Sequence, residues 1–203
     1  MLKCAITSGE GWKAMGHVGR WAHEGVDYVQ LREKKMDAGE LVKLAREMLQ
    51  VLRGHGKTKL LVNGRPDVAI AAGADGVHLS AAEGELRPEQ VREVFRLAGV
   101  GGGVGVRGGV GVVEPVIGVS CHTLEEVGRA VSDGVDLILF GPVFEKRVAG
   151  EMVGEGVGLD RLQEACTAAQ GTRVLALGGV TWPRAELCIE AGAAGVAGIR
   201  LFG

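Results

Sequence analysis

A chain of 203 residues, 46% hydrophobic and 24% charged, suits a single domain, since one core grows until roughly 250–300 residues. Its apolar fraction excludes a disordered chain, and its 35 glycines follow no G-X-Y period, which excludes collagen. With 23 Lys and Arg against 25 Asp and Glu, the formal charge is −2, so the basic excess of a non-specific nucleic-acid binder is missing.

Four short segments share one pattern: Gly25-Val-Asp-Tyr-Val, Gly73-Ala-Asp-Gly-Val, Gly134-Val-Asp-Leu-Ile and Gly192-Ala-Ala-Gly-Val. Each follows an amphipathic stretch and opens an apolar run. The glycine suits a helix C-terminus, where left-handed backbone is needed, and the run reads as a buried strand. The spacing leaves room for one more strand and helix in each gap. In chain order the expected strands are Lys3–Thr7, Tyr28–Glu33, Lys59–Asn63, Gly76–Ser80, Pro115–Cys121, Leu137–Gly141, Arg173–Gly178 and Gly195–Leu201. Helical patterns at Asp37–Arg53, Pro88–Leu97, Thr123–Ser132, Leu159–Ala169 and Pro183–Ala191 separate them. Eight such units close into a (β/α)8 barrel, an α/β fold of one domain over residues 1–203. A doubly wound open sheet is the alternative, but no GxGxxG follows the first strand. Residues 98–114, glycine-rich and nearly uncharged, read as a flexible insertion. The eighth strand reaches about Leu201, so the eighth helix is expected to be missing and its groove to be covered by another subunit, most simply in a homodimer.

Cys4, Cys121, Cys166 and Cys188 form no C-x-x-C or zinc spacing, and the first residues lack the apolar stretch of a signal peptide. A cytoplasmic protein with reduced thiols is expected, with neither membrane nor nucleic acid as partner.

In such barrels chemistry sits at the C-terminal strand ends. Alternation puts Gln30, Arg32 and Lys34 on one inward face, either as an anion clamp or as part of a salt-bridge network with Glu33. Asn63 is placed to bind a ligand or to cap the next helix. His78 shares a face with Ser80, as a core residue or a ligand group. Ser120 and His122 face inward with Cys121 between them toward the helices, and Thr123–Glu126 reads as a helix start with a capping box. An imidazole here is suited to proton transfer near neutral pH. Gly178 and Gly179 after strand seven, and Gly198 on strand eight, let backbone amides approach an anion, the recurrent phosphate site of these barrels.

The pieces AIT at 5–7, VQLREK at 29–34, LVNGRPDVA at 61–69, GADGVHL at 73–79, IGVSCHTLEE at 117–126, DLILFGPVF at 136–144, LGGVTWP at 177–183 and GAAGVAGI at 192–199 together resemble the thiamine phosphate synthase and TenI family. The resemblance implies a barrel that often dimerises. It implies that Gln30, Arg32, Lys34, Asn63 and Ser120 bind substrate, with a phosphate near Gly179, Ile199 and Arg200. Synthases join a pyrimidine pyrophosphate to a thiazole phosphate with Mg²⁺. Their aspartate after the strand-three Asn is Gly64 here, their second falls near Glu83, and their Thr-x-Thr-Lys loop becomes Glu145–Ala149, with Lys146 standing in for the lysine. Asn63-Gly-Arg-Pro-Asp67 instead resembles TenI proteins, thiazole tautomerases whose catalytic histidine matches His122. The first expectation is therefore a tautomerase acting on a phosphorylated thiazole without metal or other cofactor. The alternatives are a Mg²⁺-dependent synthase using Glu83 or Glu85, and an inactive protein that holds thiamine intermediates.

Overall fold

The structure is a computed structural model that describes residues 1–82, 84–99, 114–148 and 151–203, with backbone alone at 146–148 and 151–153. The strands are β1 (Leu2–Ile6), β2 (Tyr28–Leu31), β3 (Lys59–Asn63), β4 (Gly76–Ser80), β5 (Val116–Cys121), β6 (Leu137–Phe140), β7 (Lys146–Val148), β8 (Glu151–Gly154), β9 (Arg173–Leu177) and β10 (Gly195–Gly198). The helices are α1 (Met15–His23), α2 (Ala38–His55), α3 (Pro66–Ala72), α4 (Pro88–Leu97), α5 (Leu124–Ser132), α6 (Gly158–Ala168) and α7 (Trp182–Glu190). Eight parallel strands close the barrel in the order β1-β2-β3-β4-β5-β6-β9-β10. The antiparallel hairpin β7–β8 lies outside it and was not foreseen from the sequence. Most of the glycine-rich stretch, residues 100–113, lies outside the described residues.

Alternation sorts the strand residues into two layers. Cys4, Ile6, Tyr28, Leu61, Leu137, Leu139, Leu175 and Ala197 fill the barrel interior. Val29, Leu31, Val62, Leu79, Val119, Cys121 and Phe140 pack outward with the helices. The outward direction foreseen for Cys121 is the observed one. Helix α2 shows how a polar sequence joins that layer: Leu41, Leu44, Met48 and Leu52 recur at helical spacing and are all buried, so truncating one costs roughly 2–5 kcal/mol. Asp37 starts the helix by accepting from the Glu40 amide at 3.0 Å.

The four-fold pattern has a structural cause. Gly25, Gly73, Gly134 and Gly192 all hold positive φ, between 67° and 97°, as helix ends require. The aspartate two residues after each of the first three glycines grips the preceding strand. The amides of Lys3, Leu60 and Ile117 donate to Asp27, Asp75 and Asp136 at 2.8, 2.8 and 2.9 Å. Each aspartate's own amide donates back to the carbonyl of the same residue at 3.0 Å. The fourth unit has Ala194 and keeps only the second bond, from its amide to Val174 at 2.8 Å. These clasps sit at the strand starts, the face opposite the chemistry.

Among the described residues no helix follows β10. The chain turns instead, and Phe202 is buried between α1 and α7. Its carbonyl accepts from Arg20 at 2.6 Å and from the Trp21 indole at 2.8 Å, and its ring meets Trp182 edge-on at 5.4 Å. The groove expected to need a second subunit is thus partly filled by the chain itself.

Candidate active site at the C-terminal rim

The loops after β1, β2 and β3 build one side of the rim. Thr7 continues β1, its amide donating to the Gln30 carbonyl at 3.0 Å. Its hydroxyl accepts from the Arg32 amide at 2.9 Å. Glu33 is buried, and its carboxylate accepts from the amides of Gly9 at 3.2 Å and Gly11 at 2.7 Å. Here the structure corrects the sequence reading: β2 ends at Leu31, and Lys34 stands exposed in a turn rather than on the inward face. The pull of Thr7 and the Gly9–Gly11 amides on residues 32–33 ends the ladder before alternation reaches Lys34. The salt-bridge reading also changes, because Glu33 is occupied by backbone amides. Among the described residues neither Arg32 nor Lys34 has a carboxylate partner.

Gln30 is buried and points into the barrel. Its amide nitrogen donates to Asn63 Oδ1 at 3.0 Å. Asn63 does not cap α3, whose first turn has no side-chain cap and starts instead with Pro66. Beyond it, Arg65 forks onto Asp67 at 2.9 and 2.6 Å, which holds the Asp67 carboxyl below its usual range.

His78 and Ser120 meet across the next strands, with Nε2 2.8 Å from Oγ. His78 is fully enclosed, and burial pushes its pKa down to about 4; it is a neutral imidazole at physiological pH. His122 lies just beyond β5 and is exposed. Its Nδ1 pairs with the Gly141 carbonyl at 2.5 Å. A carbonyl only accepts, so the proton is on Nδ1 and Nε2 of the neutral ring keeps its lone pair. The capping box is formed: Thr123 Oγ1 accepts from Glu126, whose carboxylate accepts from Thr123, both at 3.2 Å. The same carboxylate takes the His122 amide at 2.5 Å.

Gly178 and Gly179 both hold left-handed backbone, φ 91° and 63°. The carbonyls of Leu177, Gly178 and Gly179 accept from Val143 N at 2.8 Å, Phe144 N at 3.0 Å and Arg184 at 3.2 Å. Peptide planarity sends each following N–H the opposite way. The Gly179 and Val180 amides thus turn away from these partners, and they have no intramolecular acceptor among the described residues. Gly198 ends β10 beside this turn, and Ile199 and Arg200 follow exposed. Lys146 opens β7; its side chain is not described.

A magnesium site of the synthase kind would draw on carboxylates at this rim. Gly64, φ 63°, offers no carboxylate. The carboxylates of Glu33, Asp67, Glu126 and Glu145 are held by amides or arginines. Glu85 lines a cavity of about 200 Å³ with Leu79 and Val119 on the outer, helix-facing side. Glu83 lies outside the described residues. No group of three or more His, Cys, Asp or Glu able to hold a metal occurs among the described residues.

Sequence reasoning missed Arg184 as part of the rim and offered Glu33 only as a salt-bridge partner, not as an acceptor for backbone amides. Glu33 had a signal, an acid inside the cationic strand-two motif. Arg184 had none, because its partner Glu145 is 39 residues away.

Comparison with known proteins agrees with this architecture. The family model described as thiamine monophosphate synthase matches residues 5–106 and 112–202. The "Putative thiamine-phosphate synthase 2" of Aquifex aeolicus is 35% identical over 181 residues, covering 88% of this chain and 84% of that protein. The "Putative thiamine-phosphate synthase" of Geobacter sulfurreducens is 41% identical over 173 residues, covering 85% and 71%. A thiamine phosphate pyrophosphorylase from Pyrococcus furiosus shares the fold, with a TM-score of 0.78 at 24% identity over 98% of this chain and 85% of that one. With the family model matched nearly end to end and relatives at 35% and 41% identity, this chain belongs to the thiamine monophosphate synthase family of thiamine-biosynthetic enzymes.

Proposed function

We propose that the protein is a thiazole tautomerase, moving a proton on a thiazole carboxylate phosphate to give the aromatic isomer. The observation that carries this reading is the His122–Gly141 bond, which leaves Nε2 as the base. Nε2 removes a proton from one carbon, the electron pair shifts into the ring, and the imidazolium returns a proton to another carbon. Arg32 and Lys34, lacking carboxylate partners among the described residues, hold the anionic end. The Gln30–Asn63 pair and Ser120 contact the heterocycle, and Lys146, the first residue of β7, is counted among the substrate-binding residues. The amides of Gly178, Gly179 and Gly198, with Ile199 and Arg200 alongside, receive the phosphate. No metal is required, and the protein acts as a cytoplasmic homodimer.

A second reading, a Mg²⁺-dependent synthase joining a pyrimidine pyrophosphate to a thiazole phosphate, is favoured by the names of the relatives at 35% and 41% identity. One experiment separates the two: assay both reactions with Mg²⁺ and with EDTA. Isomerisation that survives EDTA supports the tautomerase. Magnesium-dependent coupling establishes the synthase instead. Tight thiazole phosphate binding with neither activity would mark a protein that only holds the intermediate.

A further inference from the structure

Arg184, on the first turn of α7, ties together two rim segments that are distant in sequence. Its Nη2 donates to Glu145 Oε1 at 2.9 Å and its Nη1 to the Gly179 carbonyl at 3.2 Å. The guanidinium carbon stands 4.6 Å from the centroid of the Phe144 ring, within cation–π range. Contact at the turn is tight: a Cβ on Gly179 would come within 2.7 Å of both the Glu145 carbonyl oxygen and Phe144 Cβ. The segment after β6 therefore leans on the β9–α7 turn through backbone, and Arg184 closes the contact from the far side.

We infer that Arg184 is a positioning residue for phosphate recognition: by holding the Gly179 carbonyl and Glu145 together, it fixes the turn with the Val180 amide aimed at the substrate's phosphate, beside the Gly179 amide that the Phe144–Gly178 bond orients. This rests on the phosphate reading of that turn given above. The carbonyl and the following N–H belong to one rigid plane. Anchoring the oxygen therefore sets the donor direction without Arg184 touching the ligand. A guanidinium suits this role because its planar fork serves a carboxylate and a carbonyl at once while its face covers an aromatic ring; a lysine ammonium cannot do all three.

The test uses the full chain with Arg184→Ala and Arg184→Lys, and inorganic phosphate and thiazole phosphate as probes. Titration calorimetry is expected to show affinity for both probes reduced on the order of 10–100-fold in Arg184→Ala, the usual cost of misplacing a binding group. Arg184→Lys should recover only part of it. KM should rise by a similar factor with kcat within about three-fold. Amide exchange should be faster at Val143 and Phe144 in Arg184→Ala without ligand. Unchanged phosphate affinity alongside faster exchange would overturn the inference, reducing Arg184 to a structural tie. The phosphate reading fails separately: wild-type protein whose Gly179 and Val180 amides gain no protection from either probe would refute it, and the inference with it.

Discussion

His78 Nε2 and Ser120 Oγ stand 2.8 Å apart inside the barrel wall, joining β4 to β5 through a side-chain bond just below the rim. The enclosure that makes this bond strong also forbids charge on the imidazole, and burial lowers the His78 pKa from 6.5 to about 4. The unfolded chain binds this proton more readily than the folded one. Stability is therefore full above pH 6.5 and falls as the pH drops from 6.5 to 4. The loss over that window is on the order of 3 kcal/mol. Urea unfolding of wild type and His78→Gln at pH 7, 5.5 and 4.5 should show a steep decline in the first and a shallower one in the second.

His122→Ala is expected to lower isomerisation kcat by roughly 10²–10⁴-fold, the weight of a positioned acid–base group. The side chain is exposed, so the thermal midpoint should hardly move. Turnover equal to wild type would remove His122 from the chemistry.

Glu33 gives a prediction of the opposite kind. Glu33→Ala leaves the Gly9 and Gly11 amides without their acceptor, at about 1–3 kcal/mol for each donor that water does not reach. Because the same acid ends β2 before Lys34, the variant should also bind anions more weakly. Denaturant unfolding and calorimetry with inorganic phosphate measure the two effects.

Cys121 should be inert in the native protein. It faces the helical layer, and burial pushes its thiol up to about 12; Cys4 is likewise raised to about 12 by burial. Iodoacetamide at pH 8 followed by mass spectrometry should leave both unmodified until urea is added. Rapid native alkylation of Cys121 would contradict this burial.

Gly179→Ala combines a left-handed φ of 63° with a Cβ 2.7 Å from the Glu145 carbonyl oxygen and Phe144 Cβ. The strain costs on the order of 1–3 kcal/mol, visible as a lower urea midpoint. It should be accompanied by a raised KM for the phosphorylated thiazole.

Local chemistry explains how much of this was readable in advance. The four repeated glycines announced four helix ends because only glycine accepts that backbone cheaply. Alternation correctly turned Gln30 inward and Cys121 outward because a paired strand has a period of two. The same rule misplaced Lys34, since it holds only while the ladder continues, and Thr7 with the Gly9–Gly11 amides stopped the ladder at Leu31. Asn63 could serve a ligand or a helix cap by sequence; its bond to Gln30 shows that it caps nothing.

The eight-strand barrel and the inward set at Gln30, Asn63 and Ser120 thus follow from residue type and spacing, which act over neighbouring positions. The His122 tautomer, the neutral charge of His78, the Phe202 plug between α1 and α7 and the Arg184–Glu145 tie do not. Each depends on two segments far apart in the chain meeting at hydrogen-bonding or van der Waals distance, and that distance exists only once the barrel has closed.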